Sequence, residues 1–173
     1  MKFQFNDGGR AAAGYKGNTG DCVCRAIAIA ADLPYQEVYN RLAKGNGTQK
    51  KTKKGNKAGF TAAKGINVKR QWFKDYMTEL GFEWVATMKI GQGCRVHLTD
   101  GELPMGRLVV AVSNHYTTVL DGVVNDTYNP ERETHSCRPN DGGELKYGEW
   151  VNEGNNMICS IQRRCVYGYW IKK

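Results

Sequence analysis

A chain of 173 residues is long enough for one domain with a substantial core and short for two. Its 40% hydrophobic and 10% aromatic residues exclude a disordered chain, and its formal net charge of +8 indicates an anionic partner. No apolar run approaches the roughly 18 residues of a membrane span, and the N-terminal residues lack the apolar segment of a signal peptide, so we expect a cytoplasmic protein without membrane contact.

The chain begins with a glycine-rich segment that leads into a helix. Glycines interrupt residues 1–20 and predict a looped or extended lead-in. The apolar residues Val23, Ile27 and Ala30 then recur at helical spacing, which predicts a first helix over 21–31.

Two further helices are predicted on either side of a basic segment. Pro34 suits the first turn of a second helix, and aromatic residues at helical spacing predict a third over 68–80. Between them, residues 44–65 alternate lysine with glycine, asparagine, threonine and glutamine. This composition predicts a basic, flexible insertion rather than core.

The second half of the chain has the pattern of β-strands. Asp121-Gly122 predicts a tight hairpin turn, and residues 129–156 read as a polar excursion. Helices followed by strands predict a single α+β domain over 1–173, with N-terminal helices packed on a C-terminal antiparallel sheet. The predicted strands are 82–88, 107–112, 115–120, 123–128, 157–162 and 165–171.

Cys22 is the leading candidate for a functional residue, because a polar turn places it at the start of the first predicted helix. Unpaired backbone N–H groups and the helix dipole favour a thiolate there. The thiolate is the reactive form of cysteine. We therefore predict that Cys22 is a nucleophile.

His115 and Asp126 are the candidate base and its orienting group. If Asp121-Gly122 forms a two-residue turn, Thr118 faces Asn125 across the hairpin. Asp126 is then a diagonal neighbour of His115 on the same face, whereas Asn125 points to the other face. A register shift of one residue would exchange the two, so Asn125 stays the alternative.

The residues around these candidates resemble two groups of proteins. Cys22-Val23-Cys24-Arg25-Ala26 and His115-Tyr116-Thr117-Thr118-Val119 are similar to the cysteine and histidine segments of ovarian-tumour-type deubiquitinases, although Thr19-Gly20-Asp21 replaces that family's Asp-Gly-Asn. Tyr15–Cys22, Gly91–Leu98, His115–Thr127 and Val166–Trp170 resemble small bacteriophage proteins. The resemblance implies a papain-like cysteine hydrolase fold of viral or bacterial origin.

Papain itself offers a second alignment. If Cys24-Arg25-Ala26-Ile27 is matched to the papain nucleophile segment, Cys24 becomes the alternative nucleophile. Asn18 then lies where papain has the glutamine of its oxyanion hole. Asn18 and the Cys22 backbone N–H are therefore both candidate donors to an oxyanion.

The remaining cysteines and histidines have spacings that also occur in metal sites. Cys94-x-x-His97 and His135-x-Cys137 are such pairs, and Cys159 and Cys165 could complete a set of ligands. Paired Cys-x-x-Cys motifs are absent, and six cysteines are too few for a disulfide scaffold of this length. We therefore expect free thiols and no metal or other cofactor.

Two functions follow from these patterns. The first is a cysteine peptidase, isopeptidase or amidase that cleaves a protein or peptide substrate through Cys22, His115 and Asp126. The alternative is an inactive papain-like binding protein or a nucleic-acid-binding phage modulator of host factors. Weak binding of an anionic partner would then depend on lysines of the basic insertion. These lysines are Lys50, Lys51, Lys53 and Lys54.

Overall fold

The computed structural model describes residues 1–48, 60–146 and 148–173, which form a mixed α+β structure of helices and two sheets. The helices are α1 (Cys22–Ala31), α2 (Tyr35–Gly47) and α3 (Gln71–Glu79). The strands are β1 (Lys2–Phe5), β2 (Phe82–Ala86), β3 (Arg107–Val112), β4 (His115–Leu120), β5 (Val123–Asp126), β6 (Glu133–Pro139), β7 (Glu149–Asn152), β8 (Met157–Arg163) and β9 (Val166–Lys172).

The larger sheet has six strands in the order β1-β5-β4-β3-β9-β2. Its strands pair antiparallel except β1, which runs parallel to β5 with Lys2 opposite Val123. The prediction of a wholly antiparallel sheet is therefore wrong at this edge. The glycines after β1 favoured a loop, and β1 itself is a short, exposed strand whose hydrogen-bonding partner lies far away in the sequence. The sequence therefore did not indicate a strand there.

The smaller sheet has the order β6-β8-β7 and corrects the prediction of a polar excursion over 129–156. β6 and β7 both lie in that segment, and almost all their residues are exposed or half-buried. Strands with so little buried apolar surface lack the alternating pattern that identifies a strand in a sequence.

The hairpin of β4 and β5 forms with the predicted register. Leu120 pairs with Val123 and Thr118 pairs with Asn125. Asp121 and Gly122 both have positive φ, at 46° and 78°, as the tight turns that join antiparallel strands require. The predicted hairpin and its register are confirmed.

α1 is the central helix and packs against β3, β4 and β5. Its buried face is mostly alanine and isoleucine, so the backbone of the helix can approach the sheet closely. Thr118 Oγ1 donates to the carbonyl of Ala26 at 2.9 Å. Arg107 donates to the carbonyls of Ile29 and Ala30 at 2.9 and 2.6 Å, which satisfies acceptors at the helix C-terminus. These bonds fix α1 on the sheet.

The predicted basic insertion over 44–65 is wrong at both ends. α2 continues to Gly47, and its buried residue Asn46 donates to the carbonyl of Thr61 at 2.8 Å. Ala62 is fully buried against the helices. The four lysines proposed to bind nucleic acid lie within 49–59, outside the described residues.

Four of the six cysteines form disulfides, which corrects the expectation of free thiols. Cys94 is bonded to Cys165, and Cys137 is bonded to Cys159. The second bond joins directly opposite residues of β6 and β8. Strand pairing brought together cysteines far apart in the sequence, which composition alone did not predict. Among the described residues, no helix has the length and apolar character needed to cross a membrane.

Candidate active site

Cys22 is the first residue of α1 and is half-buried. The side chain of His115 and the backbone N–H of Tyr116 lie close enough to its thiol to stabilise the thiolate. Burial raises the pKa of this thiol, but these two neighbours and the positive charges of His115 and Arg25 outweigh burial. The pKa of Cys22 therefore lies below the ordinary value for cysteine, and the thiolate is favoured.

His115 is the first residue of β4, and its Nε2 lies 2.7 Å from Oδ2 of the buried Asp126. Because Nε2 is hydrogen-bonded to Asp126, Nδ1 is the ring nitrogen that can interact with the thiol of Cys22. Burial lowers the pKa of His115, but its bonds to Asp126 and Cys22 raise it to about 9. The Tyr128 ring, with its centroid 5.0 Å from that of the imidazole, covers part of His115. Because the pKa of His115 is about 9, its imidazolium form is favoured at neutral pH.

Asp126 ends β5 and is held in place by the chain that follows it. Its Oδ1 accepts hydrogen bonds from the backbone N–H and hydroxyl of Thr127, at 2.7 and 3.4 Å. Burial raises the pKa of Asp126, but the hydrogen bond to His115 lowers it by more. The pKa of Asp126 therefore lies below its usual value. One carboxylate oxygen thus orients the imidazole while the other is fixed to the backbone.

A second buried carboxylate connects α1 to the same site. Asp21, which is fully buried, accepts hydrogen bonds from Arg10 Nε at 2.7 Å and from the Tyr35 hydroxyl at 2.6 Å. It also forms an ion pair with Arg25, whose Nη2 lies 3.8 Å from Oδ1 of Asp126. Arg25 therefore bridges the carboxylate before Cys22 and the carboxylate that orients His115.

Cys22 and His115 line a cleft of about 1000 Å³. The lining also includes the lysines Lys64, Lys69 and Lys74 and the aromatic residues Trp84, Tyr116, Tyr167 and Trp170. A substrate carbonyl can therefore approach the thiolate from an open surface, which a nucleophile requires.

The other predicted site residues lie elsewhere. Cys24 is fully buried, faces the carbonyl of Tyr35 at 3.8 Å, and has a pKa raised chiefly by burial. Asn18 is exposed and is not among the residues that line the cleft. Asn125 accepts a hydrogen bond from Asn6 at 3.3 Å, whereas the next residue of β5, Asp126, contacts His115. Among the candidates that the structure describes, only Cys22, His115 and Asp126 come together.

The residues with metal-like spacing have other partners in the structure. His97 Nδ1 lies 3.0 Å from Glu102, and the exposed His135 lies 2.9 Å from Glu133. The described residues contain no group of three or more histidines, cysteines or carboxylates arranged to hold a metal ion. The cysteines of those motifs form the two disulfides.

Sequence reasoning did not identify the roles of Arg25, the Tyr116 backbone or the cleft lysines. Arg25 follows Cys22 by about one helical turn, so its side chain is on the same end of α1. That spacing could have predicted from the sequence that Arg25 lies close to Cys22. The positions of the cleft lysines depend on how α3 and the segment before it pack, and local sequence does not encode this.

Comparison with known proteins gives no relative to guide the interpretation. No protein-family model, curated protein or solved structure matches the chain. The interpretation of the site therefore rests on the chemistry of its residues.

Proposed function

We propose that the protein is a cysteine hydrolase with a papain-like arrangement of nucleophile and base. The observation that carries the proposal is that Cys22 and His115 line the same open cleft, with the thiol beside the imidazole and Nε2 of His115 2.7 Å from Oδ2 of Asp126. Each group has the protonation state that its role needs, since the pKa of Cys22 is lowered and that of His115 is raised.

The reaction begins with attack of the Cys22 thiolate on the carbonyl carbon of an amide. The carbonyl electrons move to oxygen, and the backbone N–H of Cys22, at the start of α1, is the nearest candidate donor to that oxyanion. Asn18 does not line the cleft, so it is not proposed as a donor. The intermediate collapses when the His115 imidazolium gives its proton to the leaving amine, which departs and leaves a thioester on Cys22.

Hydrolysis of the thioester restores the site. Neutral His115 takes a proton from water, and the hydroxide attacks the acyl carbon. The carboxylic acid leaves, the thiolate returns, and His115 is again an imidazolium. Asp126 keeps its charge throughout and stabilises the imidazolium. Peptide, isopeptide and side-chain amide bonds all fit this sequence, which uses no cofactor.

Selective alkylation tests the proposal. The native, unreduced protein is treated with substoichiometric iodoacetamide at about pH 6, where an ordinary thiol with a pKa of about 8.5 is almost wholly protonated. Peptide mapping then locates the label. We expect Cys22 alone to react, and the label to decrease strongly in His115→Ala. Cys24 is the internal control, because it belongs to the same helix and is buried.

Slow labelling of Cys22 at the rate of a free thiol would contradict the hydrolase. It would favour the alternative of an inactive binding protein or a nucleic-acid-binding protein. In that case the next experiment measures the salt dependence of oligonucleotide binding with Lys50, Lys51, Lys53 and Lys54 replaced by glutamine. A steep dependence that these substitutions reduce would identify the lysines as phosphate contacts.

The phage origin and the location in the cytoplasm of a bacterial host are also proposals. Disulfides persist mainly in oxidising compartments, so the location has a direct test. Producing cells are quenched in acid and then denatured in the presence of N-ethylmaleimide, so that buried as well as exposed free thiols are trapped. Trapping of all cysteines supports the cytoplasm, whereas trapping of Cys22 and Cys24 alone contradicts it.

A further inference from the structure

The charge of the cleft carries an inference about the substrate. Three ammonium groups line it, those of Lys64, Lys69 and Lys74, and none of the described lining residues is acidic. The thiolate of Cys22 and the imidazolium of His115 neutralise each other. The described lining therefore has a net positive charge of about three at neutral pH.

The ammonium groups of the three lysines have no carboxylate partner among the described residues. All three are exposed, and none takes part in an ion pair with any other described residue. The isolated bridge between Lys64 and Gly20 holds Lys64 close in the fold to Cys22. These charges are therefore free to contact a bound molecule beside the nucleophile.

Two of the lysines occupy positions that are unfavourable for helix stability. Lys69 and Lys74 flank the start of α3, whose first turn contains no acidic residue. The N-terminal end of a helix favours negative charge, so lysines there weaken the helix rather than support it. The nearest acid on the helix, Asp75, accepts a hydrogen bond from Gln71 at 2.8 Å and does not line the cleft. An anionic ligand would supply the missing negative charge.

An aromatic surface also lines the cleft. Trp84 and Tyr167 are 39% and 40% exposed, and Trp84 packs on the buried Gly168 with its ring 5.4 Å from that of Trp170. A ligand that contacts both surfaces must carry an apolar group as well as negative charge.

We propose that the cleft binds an acidic peptide segment, with glutamate or aspartate side chains at Lys64, Lys69 and Lys74 and an apolar side chain on Trp84 and Tyr167. This inference rests on the proposed function, because a thiolate nucleophile acts on an acyl carbon. A peptide has an acyl carbon beside its acidic side chains, whereas a nucleic acid backbone has none.

Matched covalent peptides test the inference. The probes are the N-acetyl tripeptide chloromethyl ketones Glu-Glu-Phe and Gln-Gln-Phe, which differ only in charge. The measured quantity is the ratio of their rates of labelling at Cys22. We expect the acidic probe to react about tenfold faster at low salt, the combined effect of the two ion pairs, each of ordinary surface strength, that its two glutamates can form. The ratio should fall as salt is added.

Two triple variants identify the charges responsible. In Lys64→Gln/Lys69→Gln/Lys74→Gln the ratio should fall to about one. The control variant Lys16→Gln/Lys89→Gln/Lys146→Gln has the same net charge, and its exposed lysines do not line the cleft. The control should keep the wild-type ratio. A ratio near one in the wild type, or an equal fall in both variants, would overturn the inference.

The outcomes also separate this inference from the proposed function. Selective iodoacetamide labelling of Cys22 together with a probe ratio near one would refute the acidic substrate and leave the hydrolase standing. If Cys22 proves unreactive, the same tripeptides are used as amides, and their binding is followed by the change in tryptophan fluorescence, to which Trp84 and Trp170 of the cleft contribute. Tighter binding of the acidic amide that only the cleft variant loses would support the inference, and equal binding would overturn it.

A labelled oligo-dT of about 20 nucleotides provides the final comparison, since a single-stranded site spans about 4–16 nucleotides. Binding of this probe that only the cleft variant loses, without a preference for the acidic peptide, would assign the lysines to nucleic acid and overturn the inference.

Discussion

Cys22 and Cys24 show how position on a helix determines the chemistry of a thiol. They are two residues apart, which rotates their side chains by about 200° around the axis of α1. Cys22 faces His115 at the cleft, whereas Cys24 is fully buried against the carbonyl of Tyr35. The pKa of the first thiol is lowered and that of the second is raised.

The pH dependence of the site follows from the pKa values of Cys22 and His115. Alkylation of Cys22 should rise with pH through a midpoint below the ordinary thiol pKa of about 8.5, because the thiolate is stabilised. Hydrolysis should fall again above about pH 9, where His115 loses the proton that the leaving amine needs. Rates of alkylation and hydrolysis measured from pH 4 to about 10 check both limbs.

The His115→Ala variant provides the comparison for this profile. Without the imidazolium, the alkylation midpoint of Cys22 should move upward, because the largest stabilising contribution to the thiolate is gone. A wild-type midpoint at or above the ordinary value would contradict the assignment. The apparent pKa values belong to the coupled Cys22–His115 pair. The complete pH profiles of the wild type and His115→Ala are therefore compared.

Arg25 should contribute strongly to stability. Its side chain is 11% exposed and pairs with the fully buried Asp21, so Arg25→Met leaves a buried carboxylate with one cation fewer. Because Arg10 and Tyr35 still contact Asp21, we expect the free energy of unfolding to fall by about 1.5–3 kcal/mol, as measured by urea denaturation. Arg163→Met, which breaks an exposed pair with Glu133, should cost less than about 1 kcal/mol. Equal losses would contradict the role of Arg25.

At the scale of single elements, β9 sets the shape of the aromatic part of the cleft. Gly168 lies opposite Ala86 on β2 and Ala111 on β3, so small residues form a row across three strands. The Trp84 ring occupies the space that a side chain at Gly168 would need. The absence of a side chain at one position thus allows an aromatic side chain to lie flat on the sheet.

Gly168→Ala tests this packing. A Cβ there would meet the Trp84 ring and lie 2.7 Å from the backbone carbonyl of Val85, which cannot rotate away. We expect the free energy of unfolding to fall by about 1–3 kcal/mol and the tryptophan fluorescence to shift. Gly154→Ala, whose nearest neighbour would be Asn152 at 3.4 Å, should change stability by no more than about 0.5 kcal/mol. A similar loss in both variants would contradict close packing at Gly168.

Elements with a strong local pattern were predictable, and those defined by distant partners were not. α1, β3 and the hairpin carry their own apolar spacing or turn residues, and they form where expected. The hairpin register predicted the contact of His115 with Asp126 for the same reason. β1, β6 and β7 were missed because they have no buried residue of their own and form only by pairing with β5 and β8, so no local periodicity marked them.

At the scale of the whole molecule, two disulfides connect distant parts of the chain. Cys94–Cys165 spans a sequence separation of 71 and joins the segment before β3 to the start of β9. Cys137–Cys159 spans 22 residues within the smaller sheet. The longer loop restricts the unfolded chain more, so its bond should stabilise the fold more.

Paired serine variants test this order. Loop-closure entropy predicts a loss of about 4 kcal/mol for Cys94→Ser/Cys165→Ser and about 3 kcal/mol for Cys137→Ser/Cys159→Ser. Denaturation curves measure both losses. The second variant should keep rapid alkylation of Cys22, because neither Cys137 nor Cys159 lines the cleft. A larger loss for the shorter loop would contradict the entropic account.

The contact between α1 and β4 has a consequence for the time at which reactivity appears. Cys22 belongs to the first helix, but the imidazole that activates it arrives only with β4, and the carboxylate only with β5. A nascent chain that ends before β4 therefore carries an inert thiol, and the reactive one emerges only when the long-range contacts close. Pulse alkylation at pH 6 would then report the time course of folding, because the label accumulates only on molecules in which α1 already contacts β4 and β5.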